Sequence, residues 1–162
     1  MSKLQKPNEE ALKVWYLHGL SSLKKANEIG VKTTEKLKEY ITSEELNDAI
    51  DHGSAAAAEH AKKIDTLIEE TGQEVLEINN EIMQGIHDAT DSIAESKDED
   101  VRDLGVIASA QIALHYYISA YGGLAATANK LGYKKQAEKF SKMTDEMKKA
   151  DEHYTKLANS KV

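Results

Sequence analysis

The chain has no cysteine and one proline, Pro7, in 162 residues. The first absence excludes disulfides and thiolate metal sites, and the second leaves long helices uninterrupted. No apolar run reaches the roughly 20 residues of a membrane span, and the opening MSKLQKPNEE lacks the apolar stretch of a secretory signal. No membrane partner and a cytoplasmic location are therefore expected. Also missing are a glycine-rich phosphate loop and a serine beside an evident histidine–acid pair. The glycines of YGGL, Gly122 and Gly123, read as a pair inside a helix, where they permit close helix approach. Positive charge is in deficit as well. The net charge of −7, with both signs interspersed, argues against a nucleic-acid partner, KLGYKK being the one local basic cluster. What remains is long enough for one domain with a real core, expected to span residues 1–162 with a short flexible N-terminus at about 1–7.

Punctuation in the sequence predicts five helical segments. The first follows Pro7 with Asn8 as N-cap and covers residues 8–41. Capping-box spacings then recur: Thr42 with Glu45 opens a helix over 43–70, Thr71 with Glu74 a shorter one over 73–94, and Ser96 with Glu99 a long one over 98–131. Gly132 suits the left-handed position that ends this fourth helix, and the fifth covers 134–159. Two helical hairpins joined by a crossover helix make an all-α fold, a four-helix bundle with one long connection.

Three-four spacing gives the expected inward stripes. They run through Tyr16, Leu20, Leu23, Asn27, Gly30, Thr34, Leu37 and Ile41 in the first helix, and Ile50, Gly53, Ala57, His60, Ile64 and Leu67 in the second. In the fourth they run through Leu104, Ile107, Gln111, Leu114, Ile118, Tyr121 and Ala125, and in the fifth through Phe140, Thr144, Met147, Asp151, Tyr154 and Ala158. Polar or small residues interrupt every stripe near its midpoint. End-to-end alignment of the helices puts Asn27, Ala56, His115 and Met147 at one height.

The stretch VRDLGVIASAQIALHYYISAYGGLAATANKLGYKKQAEKF, with LGYKKQA and the closing ADEHYTKLA as its specific parts, resembles the YciE/YciF-like family of bacterial stress-associated proteins, a branch of the ferritin-like superfamily. The similarity extends from about Leu20 to Ala158. It implies a ferritin-like four-helix bundle in which carboxylates and histidines on facing helices hold a pair of metal ions at mid-height. At the corresponding positions most of those ligands are replaced. LKKAN ends in Asn27 where the family has Glu, and GSAA puts Gly53 and Ala56 where it has His and Glu. Its Glu-His-Tyr-Glu is Leu114, His115, Tyr116 and Tyr117 here. Of a tandem Glu pair Glu146 remains beside Met147, and Asp151 matches a family Asp. The expectation is a degenerate di-metal site, in which Leu114, Tyr117 and Met147 fill the space left at Gly53 and Ala56.

The expected function is thus a non-enzymatic, stress-associated structural or interaction protein, homodimeric, with no cofactor and no catalytic residue. The alternative is an iron- or manganese-binding ferritin-like oxidoreductase or iron-handling protein. It would use a rearranged site around His115 and Glu146, with His60 and Asp151 as further ligands suited also to zinc. Against that alternative stands the reading of His60 and His115 as satisfied core groups, with Asn27 and Asp151 among their partners. His52 and Glu59 fall between stripes and are expected in solvent, and His18, His87 and His153 share no uniting spacing. Tyr116, Tyr117 and Tyr121 read as core aromatics.

Overall fold

A computed structural model describes residues 8–161. The expected flexible N-terminus at about 1–7 lies outside the described residues. The elements are α1 (Glu9–Leu37), α2 (Glu44–Glu70), α3 (Glu81–Ala89) with a 3₁₀ turn at Thr90–Glu95, α4 (Glu99–Lys130) and α5 (Lys134–Asn159). The described residues contain no strand. Short connections make α1/α2 and α4/α5 antiparallel hairpins, and α1 packs across onto α4. The molecule is an all-α helical bundle.

Local chemistry sets the ends, and it departs from the expected boundaries at several of them. Asn8 caps α1 as expected, its Oδ1 accepting from Glu10 N at 2.9 Å. The helix stops at Leu37 rather than Ile41. The chain turns there so that Thr42 N can donate to Oδ1 of the fully buried Asp103, at 2.9 Å. Lys161 Nζ sits 2.7 Å from the other carboxylate oxygen, as an ion pair that ties the C-terminus to the same point. With Thr42 committed to that contact, Ser43 is the N-cap of α2. Thr71 closes α2 instead of opening the next helix: its hydroxyl donates back to Ile68 O, and Gly72 takes a left-handed φ of +70°.

Residues 73–80 form no helix, and the crossover helix starts only at Glu81, under Asn80. Asn80 is buried, and three polar groups surround its amide nitrogen: Ser22 O, Ser22 Oγ and the Tyr116 hydroxyl, at 3.1, 3.0 and 2.7 Å. This fixes the crossover against α1 and α4. Asp98, not Ser96, caps α4 by accepting from Val101 N. Gly132, at φ +79°, ends α4 as expected.

The inward faces of α1 and α2 follow the expected stripes closely. That of α4 does so only in part. Ile107, Tyr121 and Ala125 of the expected stripe are buried, but so are Asp103, Val106, Ala110, Tyr117, Leu124 and Ala128 beside it, while Leu104, Gln111, Leu114 and Ile118 are only partly buried. The helix touches every other element and carries apolar residues around much of its circumference, so periodicity alone left its rotation open. The core divides in two along the bundle. One cluster gathers around Tyr16, Leu20, Leu67, Tyr121 and Phe140, the other around Leu37, Leu46, Ile50, Val106 and Leu157. The interrupted midpoints of the stripes lie between them.

Candidate functional site

Between the two clusters is a cavity of about 340 Å³. Asn27 reaches it from α1; Gly53, Ala56 and His60 from α2; Leu114 and Tyr117 from α4; Glu146 and Met147 from α5. These are sequence-predicted positions brought together as the bundle requires. His115 and Asp151 are not part of the lining. The exposed side chains of His52, Glu146 and His153 stand at the rim, where the cavity opens toward solvent between α2 and α5.

The expectation that Leu114, Tyr117 and Met147 fill the vacated centre is therefore wrong. Tyr117 points past the centre to α1, where its hydroxyl donates to Ala26 O at 2.8 Å and occupies the space above Gly30. Leu114 is half-buried at the cavity edge. Gly53 faces open space, the nearest atom to an added β-carbon being the Tyr154 hydroxyl at 3.8 Å. A sealed apolar void of this size would cost about 8 kcal/mol, comparable with a domain's whole stability of about 5–15 kcal/mol. The opening at the rim and the polar groups in the wall reduce that cost.

One wall carries a buried polar relay. His60 is 1% exposed, with Nε2 2.7 Å from Glu146 Oε2 and Nδ1 3.1 Å from the Tyr121 hydroxyl. Burial lowers the His60 pKa, and this outweighs the opposing pull of Glu146. The imidazole is neutral at pH 7, so its Nε2–H donates to the carboxylate and Nδ1 accepts from Tyr121. Burial pushes the Tyr121 phenol well above its ordinary range, so the hydroxyl keeps its proton. Asn27, also 1% exposed, donates through Nδ2 to Leu23 O at 2.9 Å and to the Tyr121 oxygen at 3.1 Å. The contact with Leu23 O fixes which end of the amide is nitrogen. Asn27 Oδ1 lies 3.2 Å from the Tyr121 hydroxyl. That hydroxyl has one proton, and Asn27 Oδ1 and His60 Nδ1 compete for it.

The rearranged mononuclear centre is not assembled. His115 is exposed on the outside of α4 and pairs there with Asp151, at 3.3 Å. It is not the core group expected: its neighbours Leu114 and Tyr117 face the cavity, and His115 points away from it. His60 spends both ring nitrogens on protein partners. Among the described residues no three histidine or carboxylate side chains converge as a metal site. The donor set on the cavity wall does not fit the dinuclear centre that the ferritin-like resemblance implies, since two cations would need several oxygen ligands. Tyr121 is the residue that sequence reasoning missed as the link between His60 and Asn27. It stood on the predicted stripe, but a tyrosine among apolar neighbours reads as core, and its two polar partners come from α1 and α2.

Comparison with known proteins bears on the whole chain. The model of the family described as "Domain of unknown function (DUF892)" matches residues 11–162. Protein YciF of Escherichia coli (strain K12) is 29% identical over 157 residues, 96% of this chain and 95% of that protein. The crystal structure of the E. coli stress protein YciF superposes with a TM-score of 0.87 at 28% identity, covering 93% of this chain and 96% of that one. YcfI from Rhodopseudomonas palustris shares the fold, with a TM-score of 0.84 at 24% identity over 96% of this chain and 98% of that one.

Proposed function

The chain belongs to the YciF-like family of domain DUF892, and we propose that it is a stress-associated, non-enzymatic structural or interaction protein of ferritin-like architecture, with a degenerate di-metal site. The observation that carries this reading is the cavity wall. At five of the positions where the resemblance calls for metal ligands, Asn27, Gly53, Ala56, Leu114 and Met147 present an amide, a hydrogen, a methyl, an isobutyl and a thioether group. The one buried imidazole, His60, is engaged by Tyr121 and Glu146. Stress association rests on the relative named as a stress protein.

A single domain, a homodimer and a cytoplasmic location belong to the same proposal. Val14 and Trp15 on α1, 65% and 62% exposed, support the dimer by offering apolar surface to a second copy. Among the described residues no helix is long and apolar enough to cross a membrane.

Thermal unfolding with added ferrous or manganous ion, and with a chelator, tests the proposal. A metal that binds only the folded chain raises the midpoint with its concentration. The expected result is one midpoint under all three conditions, and a concentration-dependent rise with either metal would refute the reading.

A further inference from the structure

The mid-bundle cavity combines three properties that together define a ligand. Its volume of about 340 Å³ is roughly twice that of an engineered cavity that accepts benzene, at about 150 Å³, and falls within the range of natural small-molecule sites, about 300–1,000 Å³. A two-ring molecule fits that space. Its wall is largely hydrocarbon, supplied by Gly53, Ala56, Ala110, Ala113, Leu114 and Met147. Among the described residues Glu146 is the only carboxylate that lines it, and this is hydrogen-bonded to His60. That charge stands in solvent at the rim, and the buried wall offers an ionised ligand no counter-charge, so the occupant of the interior is uncharged. Finally, the wall holds a buried acceptor that has only a shared donor. Asn27 is 1% exposed, lines the cavity, and shares the single Tyr121 hydroxyl proton with His60 Nδ1. A buried acceptor in that condition is costly until a donor reaches it.

We propose that this cavity is a binding site for a small uncharged molecule with an apolar two-ring body and one N–H or O–H donor, which meets Asn27 Oδ1. The apolar body takes the place of water against the alanine-lined walls, and the donor completes the Glu146–His60–Tyr121–Asn27 relay. Access is from the rim between α2 and α5. The inference deepens the function proposed above and rests on it, because a metal pair at mid-height would occupy the same space.

Calorimetric titration of the full chain with indole and with benzofuran tests it, since the two probes have the same size and only indole carries an N–H. Indole is expected to bind saturably at one site per chain, about tenfold more tightly than benzofuran. A Gly53→Leu variant, whose side chain grows into the open space at that position, is expected to abolish binding of both while remaining folded by circular dichroism. In Asn27→Leu the preference for indole is expected to vanish while binding of benzofuran persists. Absence of saturable binding for both probes would overturn the site, as would undiminished binding to folded Gly53→Leu. Equal affinities for indole and benzofuran in the parent chain would overturn the role of Asn27. Metal content measured on the same preparation separates this inference from the one before. A metal-free chain that fails to bind indole defeats the ligand site alone, whereas stoichiometric metal defeats the functional reading on which it rests.

Discussion

The Tyr117 hydroxyl stands where a side chain on Gly30 would have to go: a β-carbon built on Gly30 falls 2.6 Å from that oxygen and 3.7 Å from the ring carbon that bears it. The glycine is there for space, and the hydroxyl uses the space to reach Ala26 O. Gly30→Ala should therefore destabilise the bundle by about 1–2 kcal/mol, because the clash exceeds the gain of about 1 kcal/mol in helix propensity. In a Tyr117→Phe background the obstructing oxygen is gone, and the same substitution should be neutral or stabilising. Denaturant melts of the four proteins in the double-mutant cycle check this, and additive effects would show that the two residues do not contact each other as described.

Gly53 is the contrasting case, since nothing but the Tyr154 hydroxyl approaches its missing side chain and its backbone is helical. Gly53→Ala should stabilise by up to about 1 kcal/mol through helix propensity and reduced unfolded-state entropy. Thermal melts read the sign directly, and a loss of stability would mean that α2 needs this glycine for close packing.

The relay predicts a pH dependence with a definite sign. The folded-state pKa of His60 lies below its unfolded value, and burial is the largest cause. As pH falls below about 6.5, the unfolded chain takes up a proton that the folded chain still refuses, so stability should decline from there toward the folded-state pKa and level off beneath it. Glu146 opposes the shift, so Glu146→Gln should deepen the acid loss. His60→Gln should remove this part of the slope. Melts of the three proteins at about pH 7.5 and about pH 5 provide the comparison, and an unchanged slope in His60→Gln would remove His60 as its source.

Much of this architecture was legible in the sequence, and what was not has identifiable physical causes. Asn8 and Gly132 declared helix ends because each is held by its own local backbone geometry. Thr42 and Thr71 misled for the opposite reason. Both carry the capping spacing, but Thr42 N is claimed by Asp103, 61 residues away, and Thr71 turns its hydroxyl back to Ile68. The convergence of Asn27, Gly53, Ala56, His60 and Met147 followed from helix periodicity combined with the family resemblance. The full buried face of α4 did not, because a helix with apolar residues on several sides has no single face to declare, and His115, beside the stripe and expected in the core, stands at the surface. The open cavity was also out of reach of sequence. Volume balance says that large residues compensate small ones, but not where Tyr117 points, and its hydroxyl finds a better partner on α1 than in the centre.

The central claim is that mid-height in this bundle is a cavity with a hydrogen-bonded wall and no di-metal centre. Elemental analysis of the chain, expressed in iron- and manganese-supplemented medium and purified without chelators, tests it most directly. The account predicts iron, manganese and zinc far below one ion per chain. Near-stoichiometric, tightly bound metal that disappears in a His60→Gln, Glu146→Gln double variant would contradict it.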